Sequence, residues 1–87
     1  MGKVNYEQLV SELIKPLVSR PEEVKVVTAG EKGNVIYLRA IVHQDDLGRV
    51  IGRKGRVANA IRTIAYVAAA REKRQIEIDL VSNEDEI

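Results

Sequence analysis

Two short runs of alternating apolar residues flank a long alanine-rich stretch, and this order constrains the fold more than any other feature. From Asn34 to Val42, the residues Ile36, Leu38, Ala40 and Val42 alternate with Val35, Tyr37, Arg39 and Ile41. A period of two belongs to a strand with one buried face, so the first set is expected inward and the second on a partly exposed face. The alternation returns from Gln75 to Val81, with Ile76, Ile78 and Leu80 inward and Glu77 and Asp79 outward. Between these runs, the chain from Arg56 to about Lys73 has helical spacing, with Val57, Ile61, Ile64, Ala65 and Ala68 on its packing side. Its many alanines favour helix and allow close approach to a sheet. Two strands joined through about 30 residues of helix are expected to be parallel neighbours.

The preceding residues complete the pattern. Asn5 and Gln8 have capping-box spacing, and Tyr6, Leu9, Leu13 and Leu17 recur at helical intervals, which predicts a helix over about residues 5–19. Pro16 lies inside that run and is expected to kink or loosen its last turn. Val24 to Ala29 reads as a strand, and Gly30-Glu31-Lys32-Gly33-Asn34 has the chemistry of a hairpin turn into the strand that follows. Gln44, Asp45 and Asp46 are candidate N-caps for a short helix over about 46–51, which must stop at Gly52. The expected order is α-β-β-α-α-β: an α+β domain over residues 1–81, with a three-stranded mixed sheet and its helices on one face. Residues 82–87, Ser-Asn-Glu-Asp-Glu-Ile, are expected to be an acidic tail.

Composition narrows the chemistry. The 87 residues suffice for one core, and with no Phe, Trp or Cys that core must be aliphatic. Disulfides, thiol catalysis and cysteine metal sites are excluded, and the single histidine, His43, cannot form a histidine metal cluster alone. Gly55 is followed by Arg56 and not by the Lys-Ser/Thr of a P-loop, and Ser11, Ser19 and Ser82 lack an evident His–acid arrangement. The expectation is a binding protein with no cofactor and no metal, not an enzyme. No apolar run approaches the roughly 20 residues of a membrane span, and the N-terminus carries no secretory signal, so a cytoplasmic protein is expected.

The net charge of +1 hides strong segregation. Residues 1–47 carry six Lys/Arg against seven Asp/Glu, and residues 75–87 carry five acids and no base. Residues 48–74 carry eight bases (Arg49, Arg53, Lys54, Arg56, Arg62, Arg71, Lys73 and Arg74) against Glu72 alone. A polyanion in contact responds to local charge, since salt screens beyond about 8–10 Å. Within this segment, Gly52 and Gly55 bracket Arg53 and Lys54 where one helix stops and another starts. Such a bend offers backbone donors at a helix N-terminus beside side-chain charge, flanked by Arg49 and Arg56. Arg62 would extend the phosphate path along the helix. Asp45 and Asp46 are read as caps, and Arg71, Lys73 and Arg74 as cations at a helix C-terminus.

Gly52-Arg53-Lys54-Gly55 resembles the GXXG loop of the KH family, and Val50-Ile51 before it and Val57, Ala58 and Ile61 after it fit the family pattern. The helix and strand ahead of this core are similar to the type II arrangement. At this length the chain is similar to small bacterial stand-alone KH proteins that act as RNA chaperones. Four letters are a weak motif, since Gly30-Glu31-Lys32-Gly33 has them too, but that copy is uncharged overall and precedes no helix. The resemblance implies that Gly52, Arg53, Lys54 and Gly55 clamp the backbone of single-stranded RNA. It further implies that Val50, Ile51 and Val57, with Ala40 or Ile41, line the groove for bases. It implies pairing as a homodimer, or as a heterodimer with a larger KH/Jag-type protein, and a part in cell-shape and cell-wall biogenesis. Single-stranded DNA binding, and a protein–protein adaptor with a degenerate KH fold, are the alternatives.

Overall fold

A computed structural model of the chain describes residues 4–85; the first three residues and the last two of the expected tail lie outside the described residues. Helix α1 spans Tyr6–Ile14, strand β1 Lys25–Lys32, strand β2 Val35–Val42, helix α2 Gln44–Ile51, helix α3 Arg56–Arg71 and strand β3 Gln75–Ser82. The expected α-β-β-α-α-β order and α+β class are what the molecule has. The sheet order is β1-β2-β3, with β1 antiparallel and β3 parallel to the central strand. The long helical crossover thus produces the parallel pair that its length demanded.

Asn5 caps α1, its Oδ1 accepting the Gln8 amide at 3.0 Å. The helix ends earlier than its apolar stripe, at Ile14, and the chain tightens into a 3₁₀ turn over Lys15–Leu17 before leaving in an extended conformation at Val18. Pro16 is the reason: it lacks an amide hydrogen and its ring crowds the preceding turn. Strand β1 runs past the expected end at Ala29, through a bulge between Thr28 and Gly30, so that Gly30 pairs with Tyr37. The first glycine-bounded tetrad is therefore mostly strand, and the reversal falls at Gly33 and Asn34. Strand β3 includes Ser82, which pairs with Val42 and is buried, and Asn83–Asp85 form a further 3₁₀ turn.

One sheet face is covered by helices. Ile36, Leu38, Ala40 and Val42 of β2 and Ile76 and Ile78 of β3 meet Tyr6, Val10 and Ile14 of α1, Val50 of α2, and Ile61, Ala65 and Ala69 of α3. Two expectations about sidedness need correction. Ile41 is buried although it faces away from the helices, because the Pro21–Glu23 turn and Asn83 close around it. Ile64 is 47% exposed: α3 packs through Ala58, Ile61, Ala65 and Ala69, and a residue next to Ala65 points roughly 100° away from that line. The open sheet face carries Tyr37, Val27 and the Arg39–Asp79 ion pair at 3.9 Å. No helix among the described residues is long and apolar enough to cross a membrane.

Candidate nucleic-acid interface

The site starts at the junction of β2 and α2. His43, and not the acids after it, caps α2: its Nδ1 accepts the Asp45 amide at 3.1 Å. Asp46 has a different task from the capping expected of it. Its buried carboxylate accepts the Ser19 amide at 3.0 Å, the Ser19 hydroxyl at 2.8 Å and the Arg20 amide at 3.2 Å. These bonds, the Ser19 amide foremost, hold the Asp46 carboxyl below its ordinary value of 3.8. Helix α2 is thereby tied to the linker between α1 and β1, and its far end is held in place.

That far end is the bend. Gly52 ends α2 with φ 77° and ψ 172°, its amide donating to Gly48 O at 2.9 Å. A β-carbon on Gly52 would lie 2.4 Å from Val57 Cγ2 and 2.9 Å from the Val57 backbone nitrogen, so only glycine lets α3 start this close. Lys54 and Gly55 then adopt left-handed conformations, φ 57° and 74°. At Gly55 the demand is conformational alone, since an added β-carbon would meet nothing within 4 Å. The left-handed Lys54 costs about 1 kcal/mol in backbone energy, a strain of the kind that gathers at ligand sites.

The amides of the bend divide into two groups. Those of Gly55 and Arg56 close turns onto Gly52 O and Arg53 O, so with Gly52 they are satisfied internally, and the first amide of α3 is not among the open donors expected at that terminus. The amides of Arg53 and Lys54 have no acceptor among the described residues. Helix α3 begins with no side-chain cap and no acid in its first turn. Its positive end is left to solvent, and Arg49, Arg53, Lys54 and Arg56 are exposed around it without an ion pair among the described residues. A terminus optimised for stability alone would carry Ser, Asp or Glu there.

Of the expected groove residues, Ile51 is exposed and Val57 half-buried, whereas Val50 has no accessible surface. Val50 is core, supporting the bend from beneath. Ala40, beneath the helices, and Ile41, beneath the Pro21–Glu23 turn, are likewise buried, so neither can line a groove. The strand beside the bend is β3, a free edge. In a strand, the N–H and C=O of one residue point the same way. The Gln75 amide reaches inward to Asn34 O at 2.9 Å, so Ile76, Ile78 and Leu80 turn their backbone groups to the open edge. Arg62 lies against that edge, its guanidinium Nη2 donating to Ile78 O at 3.3 Å. Sequence reasoning missed the contact of Arg62 with this edge and the half-buried Leu80 beside it, since alternation says which face a residue takes but not which side chain from another element meets a backbone group.

Arg71, Lys73 and Arg74 are at the other end of α3, about 24 Å away by helical rise. Arg74 pairs with Glu31, and Lys73 holds the left-handed position of a C-terminal cap, with Lys73 N–H on Ala70 O and Arg74 N–H on Ala69 O, both 2.9 Å.

Comparison with known proteins finds relatives over most of the chain. The model of the KhpA/KhpB KH domain matches residues 7–80. The RNA-binding protein KhpA of Halalkalibacterium halodurans is 37% identical over 73 residues, 84% of this chain and 95% of the relative. The RNA-binding protein KhpA of Borreliella burgdorferi is 40% identical over 78 residues, 88% and 93% of the two chains. That of Bacillus subtilis is 35% identical over 80 residues, 92% and 98%. Among solved structures, Aquifex aeolicus Era bound to GDP.AlF4- aligns with a TM-score of 0.66 at 22% identity, over 92% of this chain but 31% of Era. Era in complex with MgGDPNP and nucleotides 1506–1542 of 16S ribosomal RNA aligns at 0.64 and 17% identity, over 88% and 29%. The Era likeness is one of fold.

Proposed function

The chain belongs to the KhpA/KhpB family of KH domains, and from that premise we propose that it binds single-stranded RNA across the bend between α2 and α3. The observation that carries this reading is the undefended start of α3: among the described residues it has no side-chain cap and no first-turn acid, the Arg53 and Lys54 amides just before it have no acceptor, and Arg49, Arg53, Lys54 and Arg56 are exposed around it. Gly52 and Gly55 shape the turn, Arg53 and Lys54 supply amides and charge to the phosphates, and Arg49 and Arg56 flank the path. Bases then turn toward Ile51, Val57 and the β3 edge, with Arg62 at the back of the groove. Phosphate contacts position such a strand, and the groove tests the bases.

The protein acts by binding and not by catalysis, in the cytoplasm, as an RNA chaperone or post-transcriptional regulator. A part in cell-shape and cell-wall biogenesis follows from its family resemblance. With no Phe or Trp in the chain, stacking worth about 1–3 kcal/mol per base is scarce, so one domain binds weakly. Affinity then comes from pairing with a second KH unit, another copy or a larger KH/Jag-type protein. The exposure of Ile64, Tyr66 and Val67 on α3, each more than 40%, supports such pairing.

The double substitution Arg53→Asp and Lys54→Asp tests the clamp. We expect RNA affinity to fall by at least about 100-fold at moderate salt, and the slope of log K against log salt to drop by about 2. Circular dichroism should be unchanged, because both side chains are exposed and unpaired. Binding equal to wild type would remove the clamp, and equal affinity for a matched deoxyribo-oligomer would widen the ligand to single strands in general.

A further inference from the structure

Arg62 is a cation without an anion. It is half-buried on α3, its single recorded bond goes to Ile78 O, and it forms no ion pair among the described residues. A guanidinium carries five N–H donors in a planar fork, so most of them remain unsatisfied. Partly desolvating a charge without a counter-ion is costly, and a ligand rich in acceptors would relieve that cost.

The bond to Ile78 O changes what the β3 edge can offer. A bare strand edge presents N–H and C=O groups in turn. A base that carries an amino donor beside a ring-nitrogen acceptor, as adenine does, can satisfy that pair. Here the carbonyl at the centre of the edge is already occupied, and Arg62 stands in its place. The local pattern becomes donors alone: the Ile78 amide and the remaining guanidinium N–H groups. Two bases present two adjacent acceptors to such a pattern, cytosine through O2 and N3 and guanine through O6 and N7. Adenine places a donor beside its acceptor, and uracil separates its two carbonyls with N3–H.

Resting on the RNA-binding reading above, we infer that Arg62 is a base-reading residue that selects cytosine or guanine over adenine and uracil at the nucleotide lying against Ile78. It is thus not a further phosphate contact. Its position supports this, because it sits at the edge strand and not among the exposed cations of the bend. The remaining guanidinium donors form a fork that a bidentate acceptor pair can fill, whereas a lysine ammonium at the same place is a point charge without that geometry.

The test uses the full chain and uridine-based RNAs of about eight nucleotides whose centre carries C, G, A or U, long enough to span the clamp's four nucleotides. Wild-type protein should bind the C- or G-centred RNA about tenfold tighter than the A- and U-centred ones. Arg62→Met should flatten that preference to within about twofold, the loss of affinity falling mainly on the C- and G-centred RNAs and the salt slope dropping by clearly less than about 1. Arg62→Lys, which keeps charge and stem, should flatten it too, and serves if the methionine variant loses its fold by circular dichroism. Equal weakening of all four RNAs with a salt slope lower by about 1 would overturn the inference in favour of a phosphate contact. An unchanged preference would overturn it in favour of a strap between α3 and β3. A flat wild-type preference, with binding still abolished by the Arg53/Lys54 double substitution, would remove base reading and keep the clamp. Wild-type binding by that double variant would remove the clamp itself.

Discussion

The two ends of α3 both carry a left-handed lysine, and they are built in opposite ways. At the C-terminal end, Lys73 completes a hydrogen-bonded cap, Arg74 pairs with Glu31, and the Tyr6 hydroxyl donates to Glu72. Burial, and then the Glu72 carboxylate, push the Tyr6 phenol up to about 12. At the N-terminal end, Lys54 sits in a bend where, among the described residues, no side chain caps α3, the surrounding cations form no ion pair, and the Arg53 and Lys54 amides have no acceptor. Similar backbone strain is stored at both ends, but the amides of Glu72, Lys73, Arg74 and Gln75 are all bonded, whereas the bend leaves those of Arg53 and Lys54 without an acceptor among the described residues. The difference teaches where a ligand belongs: at the end whose polar groups are left unsatisfied by the fold.

The sharpest way to break this contrast is to close the bend. Gly52→Ala puts a β-carbon into Val57 and asks alanine to hold φ 77°, so it should destabilise the protein by about 3 kcal/mol and shift α3. Thermal melts would show the loss and RNA titration a matching fall in affinity. A stable, fully binding variant would mean that the close approach of Gly52 to Val57 is dispensable.

A subtler pair sharpens it. Lys54→Gly and Lys73→Gly each relieve a left-handed side chain and should each stabilise by roughly 0.5–1 kcal/mol, net of the extra chain entropy glycine brings. Only Lys54→Gly should also weaken RNA binding, by about tenfold, and reduce the salt slope by about 1. If both variants weakened RNA alike, the two ends of α3 would share the ligand and the contrast would fail.

The smallest effect concerns the anchor behind the bend. Because the folded-state value of Asp46 is lowered, its contribution to stability is whole above about pH 4 and drains as pH falls through the lowered value. Asp46→Asn should therefore be less stable than wild type at neutral pH, with the gap narrowing as pH falls below about 4. A gap constant across that range, followed by thermal melts, would show that the bonds from Ser19 and Arg20 do not depend on the carboxylate charge.

Much of this was legible in the chain. The order of elements, the mixed sheet, the break at Gly52–Gly55 and the cationic middle segment all follow from periodicity, glycine chemistry and charge counts. The two glycine-bounded tetrads also separated correctly, one in a hairpin and one between helices. The misreadings share a cause. Ile41 and Ile64 were assigned sides from alternation and helical spacing, and Val50 was carried to the groove by the family resemblance, but the exposure of each depends on what other segments place over it. Asp46 has the sequence signature of a cap, yet its partners lie 26 and 27 residues earlier.

The amino-acid order by itself settled which conformations each short stretch could hold, because apolar spacing, proline and glycine act over a few neighbouring residues. Only the folded molecule decided that Arg62 occupies the Ile78 carbonyl on the β3 edge, and that the amides of Arg53 and Lys54 stay without an acceptor among the described residues. Those outcomes depend on contacts between segments far apart in the chain, where strand order and close packing, and not local preference, determine which polar groups remain unpaired.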